Sequence, residues 1–205
     1  EELLYGLMLR SGNDAAVTPA LHHSGSIEAF AQKMNEKATM LGATDSYFVN
    51  PHGLPDKRHK TTARDLALIA AYAMQNETFR TIVSTKYYAP RGWANKNKML
   101  ASYEGANGIK TGFTTDAGRC LVTSAERNGM TLVSVVLGCP QMYERTAELL
   151  DSAFANYSLT QLADSAMLPS NVGMPCVFCY PLRKDEFALV RAELHLSDPA
   201  PEKKG

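Results

Sequence analysis

The chain has 205 residues, 45% of them hydrophobic, with 21 basic and 21 acidic side chains and a formal net charge of +0. That length holds one domain with a sizeable core plus a small second unit, and the charge balance gives no basis for nucleic acid or an anionic membrane surface as partner. No apolar run approaches the roughly 18 residues that span a bilayer, and no signal peptide is visible.

The chain begins at Glu1, without Met, on residues already in helical register, so a preceding portion is expected outside these residues. Leu3, Leu4, Leu7 and Met8 recur at helical spacing up to Arg10, and Ser11-Gly-Asn-Asp14 breaks the pattern. A short helix is expected from Asp14 to about His22. Ser26 then caps a helix whose apolar face is Ile27, Phe30, Ala31, Met34, Ala38 and Leu41, with Gly42 at its stop. Residues 44–60 read as a loop. Thr62-Ala-Arg-Asp65 has the form of a capping box and opens a helix through Leu66, Ile69, Ala70, Ala73 and Met74. One further helical turn is expected over Thr78–Val83, then strand, turn and strand from Thr85 to Leu100.

Residues 108–138 read as three strands. The last two, Cys120–Ala125 and Met130–Leu137, form a hairpin over Arg127-Asn-Gly129, because Asn-Gly suits a tight hairpin turn. A helix from Gln141 to Tyr157 closes the unit, with Met142, Leu149, Leu150, Ala153, Phe154 and Tyr157 facing the core. Beyond it, short strand-like runs at Cys176–Tyr180 and Phe187–Leu194 lie among prolines, and a Pro- and Lys-rich tail from Ser197 reads as disordered. Helices, then antiparallel strands, then a final helix argue an α+β fold. The expected division is 1–157 and 158–205.

The four cysteines are Cys120, Cys139, Cys176 and Cys179. Cys176 and Cys179 have C-x-x-C spacing, but no second pair follows that would complete a zinc site. A turn at Asn128-Gly129 sets Cys120 opposite Leu137, two residues short of Cys139. Buried free thiols are therefore expected. His52 and His59, with Asp56 between them, raise a metallopeptidase alternative, but their spacing puts no pair on one helical face. No metal or cofactor is expected.

Chemistry concentrates in two places. Lys110-Thr-Gly112 puts a cation, a hydroxyl and a glycine in sequence on a strand, which suits an extended peptide ending in a carboxylate and held as an added strand. Ser11-Gly-Asn13 lies in a break between helices. Together they resemble two of the three motifs of the penicillin-recognising serine acyltransferases, S-x-x-K, S-D-N and K-T-G, with Gly at the middle of the second. Phe48-Val-Asn-Pro-His-Gly-Leu54, Thr61-Thr-Ala-Arg-Asp-Leu-Ala67 and Lys110-Thr-Gly-Phe-Thr-Thr-Asp-Ala-Gly-Arg-Cys120 extend the likeness. Over residues 1–157 the sequence resembles the D-alanyl-D-alanine carboxypeptidases of the low-molecular-weight penicillin-binding proteins.

That resemblance implies a serine β-lactamase/D,D-transpeptidase-like antiparallel sheet flanked by helices, lacking its N-terminal part, with the start of a small β-rich appendage. It implies a serine peptidase that removes the terminal D-Ala of peptidoglycan stem peptides through an acyl-enzyme, at an extracytoplasmic location in bacteria. By the same resemblance Ser11 relays protons toward the leaving nitrogen, and Asn13 binds the substrate amide and the general-base Lys. Lys110 and Thr111 hold the terminal carboxylate, and Gly112 lets the substrate backbone approach. The backbone N–H near Phe113 completes an oxyanion hole, and Lys96 stands where some relatives use Arg on the carboxylate. The implied partners are a stem peptide ending in D-Ala-D-Ala and, for the intact enzyme, β-lactams.

One departure is large. No serine in the 205 residues has a lysine three positions later. The nucleophile motif is thus missing, and this chain alone is expected to be inactive and to self-associate through its truncated face. A non-catalytic peptidoglycan-binding or scaffold module is the alternative.

Overall fold

Helices dominate the first half of the residues that the computed structural model describes, which are 1–163, 177–183 and 185–191. Helices α1 (Glu2–Arg10), α2 (Asn13–Ser24), α3 (Ile27–Met40), α4 (Ala63–Ala73) and α5 (Glu77–Ser84) lead to a two-stranded ribbon, β1 (Tyr87–Tyr88) and β2 (Trp93–Ala94). After the short α6 (Met99–Ser102) come β3 (Ala106–Thr114), β4 (Gly118–Arg127), β5 (Met130–Val136) and the closing α7 (Met142–Asn156). The fold is α+β. The chain divides into two units, Glu1–Phe154 and Ala155–Gly205. Among the described residues no helix is long and apolar enough to cross a membrane.

The first unit is built on the antiparallel sheet β3-β4-β5. One face packs on α7, where Leu121 and Ala125 meet Met99, Met142 and Leu150. The other packs on α4 and α5, where Ile109 meets Ala70, Met74 and Val83. The hairpin register is the one the Asn-Gly turn dictates: Leu121 pairs with Val136, which sets Cys120 opposite Leu137. Asn128 and Gly129 both have positive φ, 51° and 74°, as the primed hairpin turn requires. Arg127 clamps this hairpin to α7. Its guanidinium lies 4.7 Å from the Tyr103 ring and 4.9 Å from the Phe154 ring, and it pairs with Asp151 at 3.5 Å.

Several expectations change. Thr62 caps α4 by accepting from the Asp65 N–H, but the Asp65 carboxylate does not return the bond. It is fully buried and accepts instead from the Asp45 N–H at 2.9 Å and the Ser46 hydroxyl at 2.8 Å, so it anchors the preceding loop. The expected single turn at 78–83 is the longer α5, capped by the Asn76 side chain. The strand expected to run to Leu100 stops at Ala94. Asn95 accepts from the Asn97 N–H and Asn97 from the Met99 N–H, and these local bonds turn the chain into α6.

On α1 the buried face is Tyr5 and Leu9, with Leu3 and Leu4 exposed. Tyr5 stacks on Tyr88 with ring centroids 4.2 Å apart, and that aromatic contact rolls the helix toward the ribbon. Leu149 of α7 points outward, and Tyr157 is the first residue of a strand rather than the last of a helix.

In the second unit β6 (Tyr157–Ala163) pairs antiparallel with β7 (Phe178–Arg183). A 3-10 turn, Phe187–Leu189, stands where a strand was expected; Arg183 pairs with Asp185, and its N–H bonds Glu186, which bends the chain out of extended form. Cys120 and Cys139 are free and half-buried, whereas Cys179 is free but exposed, since β7 belongs to a two-stranded sheet. Cys176 and the tail from Ser197 lie outside the described residues.

Candidate active site

Ser11 ends α1 in the left-handed region, φ 57° and ψ 45°. Its N–H bonds Leu7 O at 3.0 Å and the Gly12 N–H reaches Gly6 O at 3.2 Å, the closing pattern in which glycine is the usual residue. A serine there carries a steric cost of about 1 kcal/mol, and what it adds is a hydroxyl. Gly12 is pressed between helices: a Cβ on it would lie 3.2 Å from Ala15 Cβ. Asn13 is the first residue of α2 and is exposed.

The Ser11 hydroxyl accepts a hydrogen bond from the Lys110 ammonium of β3, 99 residues away in sequence. Lys110 also donates to Thr111 O at 2.7 Å. Burial, and after it the charge of Lys96, together lower the Lys110 pKa to about 8. Both effects disfavour the protonated form, so the amine is partly neutral just above physiological pH.

Beside this pair lies a cleft of about 360 Å³ lined by Ser11, Lys96, Thr111, Gly112, Phe113, Arg119, Met142 and Tyr143. It therefore gathers Ser11, Lys96, Thr111, Gly112 and Phe113 of the residues singled out in the sequence, with Lys110 adjoining through Ser11; Asn13 is not among its lining residues. Gly112 is exposed, and a Cβ on it would meet nothing nearer than Cys120 Cβ at 3.7 Å. Nothing within the protein demands a glycine there. Phe113 is 71% exposed. Lys96 is held by its backbone: its N–H bonds Leu9 O at 3.2 Å, and its carbonyl accepts from the Tyr143 hydroxyl at 3.3 Å.

Arg119, Met142 and Tyr143 were not foreseen. Arg119 faces Phe113 across β3-β4, a pairing fixed by the turn at 115–117, which carries no Asn-Gly signal to set its length. Met142 and Tyr143 arrive because α7 begins over this end of the sheet. The histidine alternative has its own geometry. His52 Nδ1 accepts from the Leu54 N–H at 3.2 Å and His59 Nδ1 from the Val49 N–H at 3.4 Å, so both imidazoles order the 44–60 loop.

Comparison with known proteins adds independent findings. Residues 1–141 match the D-alanyl-D-alanine carboxypeptidase family. The chain is similar to D-alanyl-D-alanine carboxypeptidase DacF of Bacillus subtilis, 36% identical over 167 residues, covering 77% of this chain and 43% of that protein. It is similar to a D-alanyl-D-alanine carboxypeptidase of a Streptomyces species, 39% identical over 165 residues, covering 72% and 57%. The chain thus spans about half the length of these relatives. Among solved structures, penicillin binding protein 6B from Escherichia coli matches with a TM-score of 0.79 at 29% identity, over 94% of this chain and 60% of that one. A Streptomyces DD-transpeptidase matches with a TM-score of 0.71 at 38% identity, over 75% and 67%.

Proposed function

The chain belongs to the D-alanyl-D-alanine carboxypeptidase family, and from that premise we propose that its cleft binds the D-Ala-D-Ala end of a peptidoglycan stem peptide. The observation that carries this reading is the Lys110 ammonium on the Ser11 hydroxyl at the edge of a cleft that contains Thr111 and an unconstrained Gly112. The substrate lies along β3 as an added strand, and its terminal carboxylate meets Thr111 and the positive charge of Lys110 and Lys96. Gly112 leaves room for its backbone, and the N–H near Phe113 points at the scissile carbonyl; one such donor is typically worth about 3 kcal/mol in the barrier. Ser11 passes a proton between Lys110 and the leaving nitrogen, and Asn13 holds the substrate amide. A β-lactam, which carries a carboxylate beside its reactive carbonyl, competes for the same cleft. Such a substrate is met outside the cytoplasm.

Turnover is a separate matter. The acyl-enzyme reaction needs an activated nucleophile, and no Ser-x-x-Lys occurs in these 205 residues. Losing a nucleophile costs on the order of 10⁶ in kcat in serine hydrolases, so this polypeptide by itself binds without cleaving. That same absence favours the second reading, a peptidoglycan-binding module. Labelled penicillin together with an N-acyl-D-Ala-D-Ala peptide tests both: reversible peptide binding without a covalent penicillin adduct is expected. A stable adduct would refute the inactivity, and equal binding of the D-Ala-D-Ala and L-Ala-L-Ala peptides would refute the cleft assignment.

A further inference from the structure

The contact between α7 and the sheet is apolar at its ends and polar at its centre. Leu121 and Ala125 of β4 cluster with Met142 and Leu150 of α7, all four buried. Thr123 stands between Leu121 and Ala125 on the same face of β4, by the two-residue repeat of a strand. Thr146 stands between Met142 and Leu150, and these three are the buried residues of α7. Ser134 of β5 is the cross-strand partner of Thr123 and shares its face. Thr123 and Thr146 are 0% exposed and Ser134 is 6% exposed.

None of these three hydroxyls has a hydrogen-bond partner in the protein. Among the described residues four buried side-chain oxygens stand unpartnered, and three of them meet in this one contact. Thr123 and Ser134 face each other without bonding, although paired strand hydroxyls can bond. Thr146 does not donate to a carbonyl of its own helix, the usual outlet of a helical threonine. The next residue on β4 shows the ordinary outcome, since the Ser124 hydroxyl donates to the Asn107 side chain at 2.6 Å. Three hydroxyls desolvated without partners would be costly, and methyl groups of the same shape would fill the space better. Buried hydroxyls gathered in an apolar layer are instead the setting of an internal water, which typically makes about three hydrogen bonds to such groups.

We propose that Thr123, Ser134 and Thr146 form a water-binding site, and that the bridged layer fixes the seat of α7 on β4 and β5. An apolar contact tolerates sliding, whereas a hydrogen-bonded layer within it selects one register. The consequence reaches the cleft, because α7 begins with Met142 and Tyr143, which line it. The Tyr143 hydroxyl also donates to the Lys96 carbonyl at 3.3 Å. Thr146 is thus a positioning residue for Tyr143, acting through the water and the helix. Its bearing on a bound peptide rests on the cleft reading given above.

The test compares the 205-residue chain with Thr146→Val, Thr146→Ser and the triple variant Thr123→Val/Ser134→Ala/Thr146→Val. Thr146→Val keeps the shape but deprives the water of a partner, so its urea midpoint is expected to fall by about 0.5–1 M at unchanged slope. The triple variant removes every partner at once and recovers most of that loss. A crystal structure of wild type should show an ordered water within about 3 Å of at least two of the hydroxyls. The NMR signals of the Tyr143 ring should shift in Thr146→Val and stay at their wild-type positions in Thr146→Ser, which keeps the hydroxyl. A midpoint that rises or holds in Thr146→Val would overturn the water site, since an orphan hydroxyl is improved by becoming a methyl group. A dry site in the crystal would overturn it as well. Tyr143 signals that do not move in Thr146→Val, or that move equally in Thr146→Ser, would overturn the positioning role. None of these readouts involves the peptide, so failure of the cleft reading is told apart from failure of the water site.

Discussion

The two ends of β3 obey different rules. From Ala106 to Ile109 the strand serves the fold. Gly108 is buried, a Cβ on it would come within 2.9 Å of Val83 Cγ2 and 3.0 Å of Ser124 Oγ, and its carbonyl accepts from the buried Asn97 side chain at 3.0 Å. From Lys110 to Thr114 the strand serves something outside itself. Gly112 has room for a side chain, Phe113 lies open to solvent, and Lys110 is held in an environment that works against its own charge. Two glycines four residues apart thus carry opposite meanings. One is there because the protein's own atoms leave no space, the other although they do.

Substitutions along the strand test this contrast. The largest effect is expected from Gly108→Ala, because Val83 is β-branched and cannot yield cheaply. A loss of about 1–3 kcal/mol should appear as a lower urea midpoint at unchanged slope. Lys110→Met comes next and has the opposite sign. Folding depresses the Lys110 pKa from 10.5 to about 8, so the native state binds fewer protons than the unfolded chain between those values. Wild-type stability therefore rises with pH through that window, and the cost of the buried charge is fully present below about pH 8. The methionine variant should gain on the order of 1–2 kcal/mol at pH 7, allowing for partial solvent access, and the gain should vanish above pH 10.5 while peptide binding is lost. Ser11→Gly should raise stability by up to about 1 kcal/mol, since glycine adopts the left-handed cap without a Cβ. Gly112→Ala should change stability by less than about 0.5 kcal/mol yet weaken peptide binding about tenfold, the cost of losing close strand contact. Equal stability losses at Gly108 and Gly112 would erase the distinction between the two halves.

The sequence made much of this legible where one local signal decided the outcome. Asn128-Gly129 set the hairpin register and Ser26 and Thr62 marked helix starts, while of the two motifs only Ser11, Thr111 and Gly112 line the cleft, with Lys110 adjoining and Asn13 outside it. It failed where a residue's partner is distant or where two local rules compete. Asp65 followed the capping pattern, but its carboxylate was drawn to Asp45 and Ser46 of a loop 20 residues away. Asn95 and Asn97 ended an extended run through bonds to their own backbone. Arg119 could be found only once the β3-β4 register and the start of α7 were both in place. A cation at a hairpin mouth otherwise reads as a solvated surface charge.

The central claim is that Lys110 on its strand edge is the positive anchor of a peptide cleft. Calorimetric titration of wild type and Lys110→Ala with N-acyl-D-Ala-D-Ala, at pH 7 and pH 9, tests it most directly. The account predicts at least about tenfold weaker binding for the variant at pH 7. It also predicts wild-type affinity that falls between the two pH values as Lys110 loses its proton near pH 8. Equal affinity of the two proteins, with no fall for wild type at pH 9, would contradict it.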